Sequence, residues 1–180
     1  MTFIENSNII KDISNLTLTA YIPTSKSKIK KNLQTNEYNK NIILIGEITS
    51  IENFWSIFQH LKSPKYLTPN ISYHIFKKGI KPLWEDKNNK NGGKFTIDYK
   101  KEFSWIPFEE ILFGLLTKKI PFYNDINGFI LISKKLKHSI QIWVNFMKED
   151  KRKLFEKEIR EFLQIPNKIF IDYSVFNFKL

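Results

Sequence analysis

The chain has 180 residues, room for one domain that buries roughly 70% of its unfolded surface, so its core needs neither metal nor disulfide. It has no cysteine, which excludes disulfides, cysteinyl zinc or iron–sulfur sites and a cysteine nucleophile. Lys and Arg number 29 against 18 Asp and Glu, a net charge of +11, which favours a polyanionic partner, although A/T-rich codons alone would also enrich Lys, Asn, Ile and Phe.

Residues 1–13 read as a flexible polar segment before a single domain at 14–180. Met1 to Asp12 lacks the apolar stretch of a signal peptide, and no run reaches the ~18 apolar residues of a membrane span. The expected location is therefore cytoplasmic, with no membrane partner. Leu16, Leu18 and Ala20 alternate with threonines, which predicts a half-buried strand. Residues 25–39 form a polar basic loop; its Lys26–Lys31 cluster also fits nuclear import. Asn41 to Ile48 is β-branched and predicts a buried strand.

Thr49 to Leu61 predicts a helix, with Thr49 and Glu52 at capping-box spacing. Its inward stripe is Phe54, Ile57, Phe58 and Leu61, and Trp55 lies about 100° off that stripe. Tyr73 to Phe76 and Pro82 to Trp84 read as extended. Asn88 to Lys94 is a turn tightened by Asn91-Gly92-Gly93, and Phe95 to Tyr99 is the returning strand. A second helix spans Phe108 to Leu116 on the stripe Phe108, Ile111, Leu112 and Leu115, with Phe113 off it. Phe129 to Ser133 and Ser139 to Val144 flank the basic turn 134–138 as a hairpin. Lys151 to Leu163 is a third helix and Lys168 to Tyr173 a late strand. Helices interleaved with hairpins predict an α+β fold with an antiparallel sheet and the helices on one face.

No nucleophile elbow, phosphate-binding glycine loop or His-Glu-x-x-His is present, so a binding protein without a cofactor or metal is expected, not an enzyme. His60, His74 and His138 have no ligand spacing. The informative stretch is Gly79-Ile80-Lys81-Pro82-Leu83-Trp84-Glu85-Asp86-Lys87-Asn88-Asn89-Lys90-Asn91-Gly92-Gly93. It sets an indole beside a carboxylate at the mouth of a long turn. The indole can stack on a nucleobase, and the carboxylate can accept two hydrogen bonds from the N1–H and N2–H₂ edge of guanine. Taken alone, the same residues also fit a tryptophan at the core rim beside a solvated glutamate.

Gly-Ile-x-Pro-x-Trp-Glu-Asp-x-x-Asn-x-x-Gly-Gly resembles the core motif of the cap-binding eukaryotic translation initiation factor 4E family. Phe54-Trp55 with Phe58, Gln59, His60 and Leu61 resembles that family's first dorsal helix. Pro166-x-Lys168-Ile169-x-Ile171-x-Tyr173 resembles its late strand. The likeness runs over about residues 14–173. It implies a curved antiparallel sheet with three helices on the convex face and a cap pocket on the concave face, in a monomer.

It also implies roles. Trp84 matches one of the two rings that sandwich 7-methylguanine. Tyr38, 17 residues before Trp55, stands where the other ring is usually tryptophan. The methylated base is cationic, so stacking gains a cation–π contribution. Glu85 matches the guanine reader, and Trp143 the tryptophan that touches the methyl group; without the resemblance, Trp143 reads as a strand core residue. On the phosphate side the family arginine falls on Lys134, and two family lysines fall on Leu136 and Ser139. Lys135, Lys137 and His138 are nearby substitutes, with looser geometry than an arginine fork. Only seven residues follow Tyr173, so a shortened C-terminal loop is expected. Ile51, Trp55, Glu110 and Phe113 match the groove for a partner helix, with a scaffold factor 4G or other binding proteins carrying Tyr-x4-Leu-hydrophobic as implied partners. Glu109 stands where the family usually has leucine, and Trp105 reads as a packing residue. The implied function is recruitment of capped mRNA to the ribosome. The alternatives are a cap-binding repressor without productive scaffold binding, a general basic RNA-binding protein, and a protein-interaction module.

Overall fold

The computed structural model describes residues 13–21 and 41–176. Tyr38, the loop at 25–39 and residues 1–12 lie outside the described residues. Seven strands form one antiparallel sheet: β1 (Leu16–Tyr21), β2 (Ile42–Ile48), β3 (Ser72–Lys77), β4 (Gly93–Lys100), β5 (Ile126–Ser133), β6 (Lys137–Val144) and β7 (Ile171–Val175). Their spatial order is β2-β1-β3-β5-β6-β4-β7. Three helices join them: α1 (Ile51–Phe58), α2 (Trp105–Leu116) and α3 (Glu149–Phe162). None of the described helices is long and apolar enough to cross a membrane.

The period-2 alternation of the strands decides the layering. Leu16 and Leu18, Tyr73 and Ile75, Phe95 and Ile97, Phe129 and Leu131, and Ile140 and Ile142 share one buried cluster with Phe54, Phe108, Ile111, Leu115, Phe155 and Ile159 of the helices. All three helices therefore cover one face. The core is aromatic: Phe95 stacks on Phe155 with ring centroids 4.4 Å apart, and Phe108 meets Phe129 edge-on at 5.6 Å. Trimming one such buried ring to alanine costs about 3–5 kcal/mol. Intervening residues point to the other face, where Phe76, Ile130 and Trp143 make a separate small cluster.

Several expectations need correction. Ser50, not Thr49, caps α1: its Oγ accepts from Asn53 N at 3.1 Å, and Asn53 Oδ1 accepts from Thr49 N at 3.1 Å. Asparagine thus plays the reciprocal part assigned to Glu52. Pro82 to Trp84 is not a strand: the carbonyl at its centre, Leu83 O, is taken locally by Asp86 N and the Asn89 amide. Phe95 to Tyr99 does not return onto Tyr73 to Phe76; β5 and β6 lie between them. β2 is an edge strand rather than a buried one, with Ile43 and Leu44 at least half exposed. β7 begins at Ile171 because Arg160 takes the preceding turn, donating to Pro166 O at 3.2 Å and Ile169 O at 3.1 Å. Trp105 is not buried packing; it is 40% exposed at the start of α2.

Candidate functional site

The loop between β3 and β4 is held by its own polar residues. Gly79 opens it at φ +85°, a conformation that L side chains rarely adopt. Asp86 accepts from the backbone N–H of Lys81 at 3.1 Å and of Asn88 at 2.9 Å. Burial alone would raise the Asp86 carboxyl, but these hydrogen bonds, with that from the Asn88 side chain, outweigh it and hold the group below the usual range. Asn89 is fully buried; its amide donates to Lys81 O at 2.9 Å and Leu83 O at 2.8 Å. The second bond, with that from Asp86 N to the same oxygen, takes the Leu83 carbonyl that a strand at Pro82–Trp84 would have offered to a neighbour.

A bulge in β5 completes the fastening. The β5–β6 register shifts between Ile126 and Gly128, which turns Asn127 out of the ladder. Its buried amide then donates to Asn88 O at 2.8 Å and Asn89 Oδ1 at 3.0 Å. Gly92 closes the loop against β6, where a Cβ would meet Val144 O at 2.0 Å. With the loop so pinned, Trp84 stands 42% exposed and Glu85 half-buried beside it. The motif's Asp86, Asn89 and Gly92 are thus the scaffold for Trp84 and Glu85. Asn127 is a positioning residue that sequence reasoning missed; a bulge leaves no local pattern.

Trp143 lies on the helix-free face at the same end of the sheet. It pairs with Lys94 and Gly128, next to the Val144 that Gly92 abuts. It is only 6% exposed, held edge-on by Phe76 at 5.4 Å. Phe176, immediately after β7, lays its ring 4.4 Å from that of Trp143, and its N–H bonds to Gly92 O at 3.1 Å. Ile80, from the start of the β3–β4 loop, packs against the same cluster. Phe176 was also missed, because a tail aromatic carries no spacing that ties it to a strand 33 residues earlier in the chain.

The basic turn is less free than its composition suggests. Lys134 Nζ lies 3.5 Å from Asp98 Oδ1; Lys137 and Ser139 Oγ also bond to the Asp98 carboxylate. Burial would raise this carboxyl, but the hydrogen bonds from Lys137 and Ser139 and the charge of Lys134 hold it well down. Lys135 is exposed. His138 is fully buried on the helix side, bonded through Nδ1 to Ser104 Oγ at 2.6 Å. Burial first, then Lys101, pushes its pKa down, so it is neutral and turned away: it cannot serve the phosphates. Lys94, which pairs with Trp143 across the ladder, was overlooked. Burial lowers its pKa, Asp172 opposes that and Lys134 adds to it.

On the helix side, Trp55 is 52% exposed and closes an aromatic cluster. Its ring centroid lies 5.0 Å from Phe54, 6.1 Å from Phe58 and 6.4 Å from Phe113. Ile51 is half-buried on α1 and Glu110 is exposed on α2. Burial and then Glu110 raise the pKa of the neighbouring Glu109. The structure thus brings the α1 and α2 residues into one patch, apart from the Trp84–Trp143 end.

The described residues thus form an α+β protein with three helices on one face of an antiparallel sheet and Trp84 exposed in a pinned loop. Residues 14–179 match the family model of "Eukaryotic initiation factor 4E", and the chain belongs to that family. It is 28% identical over 142 residues to the initiation factor NCBP of Triticum aestivum, covering 78% of this chain and 61% of that protein. It is 28% identical over 153 residues to human initiation factor 4E, covering 80% and 69%. The chain therefore spans less than two thirds of the wheat relative's length. Its fold is similar to that of Caenorhabditis elegans eIF4E-3, solved with the 4E-binding protein Mextli and a cap analog, at TM-score 0.77, 22% identity and 90% of each chain. Ascaris suum eIF4E-3 with m7G cap gives TM-score 0.77 at 23% identity, over 90% and 88%.

Proposed function

We propose that this chain binds the 7-methylguanosine cap of mRNA and, through its helical face, brings capped mRNA to the ribosome with a scaffold initiation factor. The observation that carries the cap reading is the loop in which Asp86, Asn89 and Asn127 hold Trp84 exposed beside Glu85. Family membership and the likeness to folds solved with cap ligands support it. Trp84 supplies one face of the base stack, worth about 1–3 kcal/mol. Tyr38, outside the described residues, is proposed for the other face. Glu85 accepts from N1–H and N2–H₂ of guanine, which contributes about 1–3 kcal/mol of discrimination. Trp143 faces the methyl group. Lys134, Lys135 and Lys137 are proposed for the phosphates, and Lys94 joins them; Asp98 must share Lys134 and Lys137 with the ligand.

Trp55, Phe113, Ile51 and Glu110 are proposed to receive a Tyr-x4-Leu-hydrophobic helix. The solved neighbour with the 4E-binding protein Mextli supports a partner of that kind. Glu109 beside this patch favours a second reading, a cap-binding repressor that holds the cap without a productive scaffold.

The test is a tryptophan-fluorescence titration at fixed salt with 7-methyl-GTP and, separately, GTP. Saturable quenching by 7-methyl-GTP with a much weaker response to GTP is expected. Equal or absent responses would overturn the cap reading. Titration of a labelled Tyr-x4-Leu peptide then separates initiator from repressor.

A further inference from the structure

Three segments meet at the far end of the sheet from Trp143. The turn at 134–137 joins β5 to β6, and Lys137 faces Lys100 directly across the β4–β6 ladder. From Lys100 the chain enters the short 3-10 turn Lys101–Phe103, which packs beside a second one, Pro64–Tyr66. Ser133 fastens that second turn: its Oγ donates to Leu67 O at 3.1 Å, and its backbone bonds to Asn70 and Ile71.

What these segments present to water is unusual. Tyr66 is 63% exposed and Phe103 60%, two large rings left outside the core. Lys65 Nζ lies 5.5 Å from the Tyr66 ring centroid. Among the described residues, Lys65, Lys100, Lys101 and Lys135 have no carboxylate within 4.0 Å, whereas Lys134 and Lys137 share Asp98. Glu102 is the other acidic group at this end. The excess positive charge surrounds flat, accessible rings. A surface for an acidic peptide would need the lysines only. Lysines beside exposed aromatic faces suit a strand whose phosphates and unpaired bases are both available.

We propose that this end of the sheet is a platform for single-stranded RNA beyond the cap, with the lysines on backbone phosphates and Tyr66 and Phe103 under successive bases. The route is continuous with the proposed cap site. β6 runs about 20 Å from Trp143 to Lys137 at ~3.3 Å per residue, past Lys94 and the lysine turn. Only the direction of the strand rests on the cap reading; the platform itself does not. Its contacts are to phosphate and to ring faces, so the binding is indifferent to base sequence.

The experiment compares the whole chain with the double variant Tyr66→Ala/Phe103→Ala and with Lys65→Gln/Lys101→Gln. Three probes are titrated: 7-methyl-GTP, an uncapped oligouridylate of roughly ten nucleotides, and the same RNA capped. The capped RNA is expected to bind more tightly than 7-methyl-GTP. The ring variant is expected to lose roughly tenfold on both RNAs with 7-methyl-GTP unchanged. The lysine variant should flatten the salt dependence of RNA binding. Tyr66, Phe103 and Lys65 are exposed and Lys101 is half-buried, so a melting curve matching the parent checks the fold. If the ring variant binds both RNAs as the parent does, or if the capped RNA binds no more tightly than 7-methyl-GTP, the platform is wrong. RNA binding that needs the lysines but not the rings would also overturn it, leaving a generic polyanion surface. Ring-dependent binding of uncapped RNA with no response to 7-methyl-GTP would uphold the platform and overturn the cap reading.

Discussion

Glu85 is half-buried in a loop fastened by Asp86, Asn89 and Asn127, and Glu85→Ala leaves those three fastenings in place. Glu85→Ala is therefore expected to keep the melting temperature and lose base selection. The preference for 7-methyl-GTP over 7-methyl-ATP should fall by about tenfold or more, from the 1–3 kcal/mol of a bidentate edge contact. An undiminished preference would remove Glu85 from the reader's role. Phe176 makes a different prediction. Trp143 is 6% exposed, while Trp55, Trp84 and Trp105 are each at least 40% exposed, so the blue edge of the emission belongs to Trp143. Phe176→Ala uncovers it. The emission should shift to the red, and 7-methyl-GTP should bind severalfold more tightly because no ring has to move aside. Weaker binding would make Phe176 a wall of the pocket instead of its cover.

Among the elements, the β4–β6 pair decides how much charge the ligand meets. Asp98 on β4 engages Lys134, Lys137 and Ser139 around the β5–β6 turn. Asp98→Asn keeps the hydrogen-bonding shape and removes the competing charge. Affinity for 7-methyl-GTP should rise severalfold at low salt, and its salt dependence should steepen. No change would mean that these lysines do not reach the phosphates. The α1–α2 pair carries the patch proposed for a partner helix. Trp55→Ala removes the exposed centre of an aromatic cluster and is expected to weaken a Tyr-x4-Leu peptide by more than about tenfold, as for an interface hot spot. Cap binding should be untouched, since that patch lies on the opposite side of the sheet.

At the scale of the whole molecule, two buried histidines couple stability to pH. His74 is 1% exposed, its Nε2 2.8 Å from Ser72 Oγ, and burial lowers its pKa to about 4. His138 is lowered in the same direction, by burial and then Lys101, with Glu102 opposing. The unfolded chain binds these protons near pH 6.5 and the folded chain does not. Stability is therefore full above about pH 6.5 and is lost as pH falls toward 4, by about 3 kcal/mol for His74. Urea midpoints between pH 7 and 4 should fall accordingly, and His74→Gln should flatten that slope. A slope unchanged in His74→Gln would place the protonation elsewhere.

The sequence by itself determined the layering. Strand alternation assigns Leu18, Ile75, Phe129 and Ile142 to one face, and helical spacing assigns Phe54 and Phe108 to meet them, because burial follows period. The off-stripe Trp55 was legible because it departs from the helical pattern, whereas the Trp84-Glu85 pair stood out through its resemblance to a family motif, since alone it also fits a tryptophan at the core rim. Only the tertiary structure decided the strand order, which separates β3 from β4, since pairing is a long-range choice with no local mark. It decided that Ser50 rather than Thr49 caps α1, a matter of one residue of backbone geometry. It turned His138 inward and gave Lys134 and Lys137 to Asp98, because face and partner follow from register across strands. It brought Asn127 to the motif loop and Phe176 to Trp143, contacts made across the fold between residues 38 and 33 positions apart in the chain. Local chemistry chose which side chains are apolar, aromatic or charged; the sheet chose which of them stand together.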